Sequence, residues 1–360
     1  MSEEVAERIR RRIREHGPIT FAEFMDEALY GPGGFYERPP VGPKGDFVTS
    51  PHVHPVFSRL VGVALEEMWT ALGRPAPFRL VEVGAGDGTL ARELLDGFGR
   101  GGIDVEYSAV EVGAGAREAL ASVTPSVAAR LADLTPLEPG VVFANELLDD
   151  LPFRRVRRRG EAVVEVRIGL DGDRLAEVES AFDGEPRPDE LNADEAVVPT
   201  GAFAFVDELG RSLARGYALL IDYGSTEGPA GEVHGYRDHR VVEDVLDDPG
   251  SADVTAGVDL SAIARRARRA GLRSFEAVSQ RDALLALGLE EWMRAERTRQ
   301  SELLNAARGL EAARTWSGRA RARLLADPAA LGRLGWLVLA TADLPEPGWL
   351  HEARSRRRTD

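Results

Sequence analysis

The sequence predicts an α/β fold built on a doubly wound, mostly parallel sheet, with a helical extension ahead of it and a β-rich insertion within it. Three observations predict this. Short apolar runs of strand length alternate with helical stretches through residues 78–143. A glycine-rich turn follows the first of those runs, where an open parallel sheet holds its ligand. A chain of 360 residues with 43% apolar side chains can build one large core or two modest ones.

The elements follow in order. Val5, Ile9 and Ile13 recur at helical spacing, and Gly17-Pro18 stops that helix. A second helix starts at Thr20, with Phe21, Phe24, Met25 and Ala28 on one face, and stops at Gly31-Pro32-Gly33-Gly34. The stretch 31–55 is dense in Pro and Gly and too long for an idle connection, so it reads as a lid or binding loop. A helix over 57–72 leads into strands at 78–83, 105–111, 127–131 and 141–143, separated by helices at 90–98 and 115–121. The next buried strand is 217–221. Between them, 162–168 and 174–178 alternate in strand fashion, which places a β-rich insertion at 152–216. A helix at 260–270, a strand at 272–278, Arg- and Ala-rich helices to 326 and a last strand at 337–340 complete the body. The domains expected are 1–72 (helices and lid), 73–151 with 217–345 (core), 152–216 (insertion) and 346–360 (flexible tail).

Composition narrows the function. Sixty acidic against forty-five basic side chains leave a net charge of −15, whose field repels nucleic acid and anionic membrane. Small-molecule or protein partners are expected. With no cysteine, disulfides, Cys-ligated metal and thiol nucleophiles are excluded. The N-terminus lacks a basic and apolar leader, and no apolar run approaches the ~20 residues of a spanning helix, so a soluble, cytoplasmic chain is expected. His52 with His54, and His234 with His239, form no zinc-binding pattern, and no metal is expected. The arginine run at 154–159 alternates like an edge strand, where cations discourage aggregation.

The chemistry centres on Val81-Glu82-Val83-Gly84-Ala85-Gly86-Asp87-Gly88-Thr89-Leu90. Glycines at 84, 86 and 88 let the backbone turn tightly and approach a ligand, while Thr89 stands where a dinucleotide fingerprint requires its third glycine. Glu111, at the end of the second strand, is placed to accept paired ribose hydroxyls. Asp133, with Leu134, falls after the third strand, near where an adenine would lie. Asn145, Glu146 and Asp149 follow the fourth strand, where they suit either an acceptor group or a helix start.

These residues resemble the first motif of class I S-adenosylmethionine-dependent methyltransferases, whose core is a Rossmann-like sheet. Taken with Gly17-Pro18-Ile19, Leu29-Tyr30-Gly31-Pro32, Gly45-Asp46-Phe47-Val48-Thr49-Ser50-Pro51, Ile221-Asp222-Tyr223-Gly224, Tyr236 with His239, and Asp253-Val254-Thr255-Ala256, the chain is identified as a member of the MidA-like methyltransferases. That family includes a mitochondrial complex I assembly factor with protein arginine methyltransferase activity. The resemblance implies S-adenosyl-L-methionine as cofactor, held by Gly45, Asp46, Phe47, Thr49, Glu82, Gly84, Ala85, Gly86, Gly88, Glu111, Asp133, Leu134 and Asn145. It implies an acceptor site at Asn145, Glu146, Asp149 and Asp222, and an arginine acceptor on a protein. A small-molecule O- or N-methyltransferase and a non-catalytic donor-binding assembly factor stay open, as does a homodimer. The chain departs from the family at Pro51-His52-Val53-His54-Pro55 and Ser58-Arg59, where acids give way to His and Arg, and at Leu147-Leu148, where aromatics are usual.

Overall fold

The computed structural model describes residues 2–37, 48–182, 184, 194–225 and 232–357. Helix α1 (Ser2–His16) buries Val5, Ile9 and Ile13, and Gly17 ends it with a left-handed φ of 84°. After β1 (Ile19–Thr20), α2 (Phe21–Met25) starts on a capping box: Thr20 Oγ1 accepts the Glu23 N–H, and the Glu23 carboxylate accepts the Thr20 N–H. One π-helical stretch, Asp26–Tyr30, continues α2. Next come α3 (Ser50–Val53), α4 (Val56–Ala71), β2 (Phe78–Val83), α5 (Thr89–Arg100), β3 (Val105–Val110), α6 (Ala114–Leu120), β4 (Val127–Ala128) and β5 (Gly140–Asn145). The third strand is therefore two residues long where 127–131 was expected, because a 3-10 turn takes over at Leu131–Leu134.

The stretch expected to be β-rich is strand only in its first part. It forms β6 (Arg154–Arg159), β7 (Ala162–Asp171), β8 (Arg174–Ala181) and β9 (Glu195–Val198), and then helix α7 (Thr200–Ser212). Strand β6 is interior rather than an edge, with β7 on one side and β9 on the other. Its arginines are matched within the sheet: Arg155 and Arg157 pair with Glu177 and Glu195, and Arg157 and Arg159 with Glu179.

The chain returns through β10 (Gly216–Asp222), β11 (Gly224–Ser225), β12 (Val233–Arg237), β13 (Arg240–Val242), β14 (Asp253–Ala256) and β15 (Val258–Asp259) to α8 (Leu260–Arg269). The expected strand at 272–278 is two short pieces, β16 (Arg273–Ser274) and β17 (Val278–Ser279), both paired to the last strand. Helices α9 (Gln280–Ala286), α10 (Leu289–Asn305) and α11 (Gly309–Leu324) precede β18 (Gly335–Ala340), and α12 (Gly348–Arg357) closes the chain. The tail is thus helical to Arg357 rather than disordered from Arg354, since Trp349, Leu350 and Ala353 are buried in the main core.

The central sheet runs β16 or β17, β18, β10, β5, β2, β3, β4, with β18 antiparallel and its neighbours from β10 to β4 parallel. Alternate residues feed two cores, one on each face. Leu80, Val141, Phe143, Leu219 and Ile221 meet α4 and α5, while Val81, Val142, Ala144, Ala218 and Leu220 meet α7 and α8. A third core joins α1 and α2 to β7 and β14 through Phe21, Phe24, Ile168 and Val254. Among the described residues, no helix is long and apolar enough to cross a membrane.

Candidate active site

A cavity of about 540 Å³ opens at the carboxyl ends of β2, β3 and β5, where β2 has β3 on one side and β5 on the other. Gly84 and Gly86 line it with left-handed φ values of 73° and 54°, a conformation that strains any residue with a Cβ. Gly88 does not line it. A Cβ there would meet Val123 and Leu120 at 3.0 and 3.1 Å, so Gly88 lets the start of α5 sit close against the end of α6. Ala85 lines the cavity beside them, as does Thr49.

Glu82, one residue before the end of β2, is almost fully buried, and the Tyr107 hydroxyl donates to its Oε2 at 2.6 Å. Burial pushes its carboxyl up to about 8, with the Tyr107 bond opposing the shift. Glu111, just past β3, holds the turn: Oε2 accepts the Gly86 N–H at 3.1 Å, and Oε1 accepts Val112 and Gly113 N–H at 2.8 and 3.2 Å. Burial raises its pKa and those three backbone donors oppose the rise.

Past β5, Glu146 takes a left-handed φ of 53°, which is uncommon for a residue with a side chain. Its Oε1 accepts the Ser50 N–H at 3.0 Å and Asn145 Nδ2 at 3.1 Å. Burial pushes this carboxyl up to about 7 against those two bonds. Asn145 and Glu146 line the cavity; Asp149 and Asp222 do not. Asp222 is fully buried and closes the turn: its Oδ2 accepts Leu147 and Leu148 N–H at 3.0 and 2.6 Å, and its Oδ1 accepts Tyr223 N–H at 2.8 Å. That closure turns Asp149 toward β14, where the Thr255 hydroxyl donates to it at 2.9 Å.

Asp150 takes the place expected of Asp149. It lines the cavity with Tyr30 and Tyr36, whose rings stack with centroids 5.4 Å apart. The Tyr36 hydroxyl lies 2.6 Å from Asp150 Oδ2 and 3.0 Å from Asp253 Oδ1, and Tyr30 donates to the Asp150 carbonyl at 3.0 Å. Burial, then repulsion from Asp149, raises both carboxyls, Asp150 well above its ordinary value and Asp253 to about 7.

The other expected donor contacts divide. Asp133 and Leu134 miss the cavity, because the shortened β4 brings Ala129, Arg130 and Leu131 to the rim, while Asp133 lies beside Arg130 in the 3-10 turn. Gly45, Asp46 and Phe47 lie outside the described residues. His239 is exposed on the hairpin turn between β12 and β13, where it and Asp238 both have positive φ. Sequence reasoning missed the wall from α7, formed by Ala204, Phe205, Glu208 and Arg211. The helical spacing of Ala202, Phe205, Val206 and Leu209 was the available signal. Tyr30, Tyr36 and Asp26 were also missed as cavity residues, although Tyr30 and its neighbours belong to a motif quoted above.

Two observations fit S-adenosylmethionine to this cavity. The glycine turn presents bare backbone, and Asn145 Oδ1 is buried without a partner among the described residues, an acceptor open to the donor's ammonium group. A parallel sheet with this turn after its first strand, an acid after its second and an amide-acid pair after its fourth defines a class I S-adenosylmethionine-dependent methyltransferase.

A family model described as "Putative S-adenosyl-L-methionine-dependent methyltransferase" matches residues 60–278. The human mitochondrial protein arginine methyltransferase NDUFAF7 is 32% identical along an alignment 320 positions long that covers 78% of this chain and 72% of that protein. Its Drosophila melanogaster homolog is 31% identical along an alignment 313 positions long that covers 74% of this chain and 70% of that one. A Burkholderia thailandensis protein crystallised with S-adenosyl-homocysteine superposes with a TM-score of 0.81 at 26% identity, covering 96% of this chain and 93% of that one. The chain belongs to the MidA-like family of S-adenosylmethionine-dependent methyltransferases.

Proposed function

We propose that the chain methylates an arginine side chain of a protein. The observation that carries this reading is the composition of the cavity beyond the donor turn, where Glu146, Asp150 and Asp26 stand with the stacked Tyr30 and Tyr36. Carboxylates hold a guanidinium by paired hydrogen bonds and aromatic rings accept its flat face, so the lining suits arginine better than a neutral acceptor. The relatives named as protein arginine methyltransferases support the same reading.

The donor supplies a methyl group on a positively charged sulfur, which departs as a neutral thioether. The chain's own residues do the rest. Glu146 and Asp150 orient the guanidinium so that one nitrogen faces the methyl group, and the tyrosines keep water from its face. As the N–C bond forms, that nitrogen sheds a proton. Glu146, with its carboxyl pushed up to about 7, is matched to accept it near neutral pH.

The test uses donor labelled in the methyl group with cell extract and with arginine-containing peptides. Labelled methylarginine in protein is the expected product, and Glu146→Gln should lower kcat/KM at least about a hundredfold while donor affinity by calorimetry stays within about threefold. Label recovered only in a small metabolite would overturn the arginine assignment.

A further inference from the structure

One side chain ties the donor turn to the acceptor wall. His52 sits on α3 with 8% of its side chain exposed. Its Nδ1 lies 2.9 Å from Thr49 Oγ1, and its Nε2 lies 3.1 Å from Asp87 Oδ2 in the glycine turn. A neutral imidazole protonated on Nε2 satisfies both contacts, donating to the carboxylate and accepting from the hydroxyl. Asp87 is a firm anchor. It also accepts the Thr89 N–H and hydroxyl at 2.9 and 3.0 Å. Burial alone would raise its pKa, but the bonds from His52 and Thr89 outweigh it and hold the carboxyl at about 2.

On the same four-residue helix, the Ser50 N–H donates to Glu146 Oε1 at 3.0 Å. So short a helix does not hold its own shape in water, and its place is set by such tethers. We propose that His52 is a positioning residue: its bond to Asp87 holds α3 against the glycine turn so that the Ser50 N–H meets Glu146, tying the donor seat to the acceptor seat. This rests on the assignment of Glu146 to the acceptor.

The test compares His52→Ala and His52→Gln by steady-state kinetics across pH at saturating donor, using an arginine-containing peptide. His52→Ala should lower kcat/KM at least about tenfold and move its acidic limb upward by about half a pH unit or more, because Glu146 loses the donor that favours its charged form. The other groups that bear on Glu146 are unchanged in both variants: Asn145, Asp149, Tyr223 and, over the Tyr223 ring at 5.9 Å, Arg333. Glutamine keeps an N–H for Asp87, so His52→Gln should recover most of the rate and the original limb. Donor affinity by calorimetry should stay within about threefold in both.

Three results would overturn the proposal. His52→Ala could keep the original rate and profile; both variants could lose the rate alike, leaving no role for the bond to Asp87 that glutamine keeps; or donor affinity could fall in step with the rate, making His52 a direct donor contact. Glu146→Gln separates the two readings. If it turns over normally while His52→Ala does not, the acceptor assignment fails; if it is inactive while His52→Ala is normal, only the positioning role fails.

Discussion

Glu82 offers the sharpest link between this site and a measurable stability. It is 3% exposed near the end of β2, and burial pushes its carboxyl up to about 8 from an ordinary 4.5, against the hydrogen bond from Tyr107. In the unfolded chain this carboxyl is ionised throughout pH ~6 to ~8. In the folded chain it keeps its proton until about pH 8, so the folded state binds more protons over that window and stability falls as pH rises. The contribution is full below the unfolded value and is lost on the climb through the folded one. At roughly 1.4 kcal/mol per proton per pH unit, with release only part complete at the upper end, Glu82 alone removes about 2 kcal/mol between pH ~6 and ~8. Glu82→Gln keeps an oxygen for the Tyr107 hydroxyl and has nothing to ionise. Urea unfolding at the two pH values, without donor, should show a drop about 2 kcal/mol larger in the parent protein than in the variant. Equal drops, or a parent that gains stability with pH, would refute the assignment of a proton to buried Glu82.

Two further substitutions probe the walls. A Cβ on Gly113 would lie 2.2 Å from the Tyr36 carbonyl oxygen, so Gly113→Ala must displace that backbone and loosen the Tyr36 contacts with Asp150 and Asp253. Steady-state kinetics should show acceptor turnover falling at least about tenfold, and an unchanged rate would mean that Tyr36 plays no part in the acceptor site. Asp222→Asn sets an amide N–H against a backbone N–H, at Tyr223 or at Leu147 and Leu148, and should cost about 1–3 kcal/mol in urea unfolding. A variant as stable as the parent but inactive would place Asp222 at the reacting atoms instead.

Local signals carried the parts of the fold and site that were legible. The strands at 78–83 and 217–221 announced themselves as apolar runs, and the glycine turn with Glu111 followed from strand-end placement in a parallel sheet. What failed depended on residues distant in the chain. Whether Asp149 or Asp150 faces the cavity is decided by the left-handed Glu146 and by Asp222, which closes the turn from another strand. No local rule announces a glutamate at positive φ. Strand β6 reads as an edge from its arginines alone; its interior position depends on pairing with β9, and its charge balance on Glu177, Glu179 and Glu195, each on a strand formed later in the chain. In the tail, the arginine run masked the apolar contact of Trp349, Leu350 and Ala353 with the core.

The buried carboxyls also distinguish a cationic acceptor from a neutral one. Glu146 and Asp253 lie at about 7, and Asp150 is held well above its ordinary value, because burial and neighbouring acids penalise their charged forms. Among the described residues no cation is hydrogen-bonded to these groups, and their raised values favour the protonated forms toward neutrality. A guanidinium arriving against Glu146 and Asp150 favours the charged forms, so its binding must release protons. Affinity for an arginine peptide should therefore rise with pH across ~6 to ~8, while the stability of the fold without ligand falls over the same range. Calorimetric titrations in buffers of different ionisation enthalpy would measure the released protons directly. A pH-independent affinity with no proton release would point to a neutral acceptor, because only a cation draws on the carboxyls that this wall has gathered.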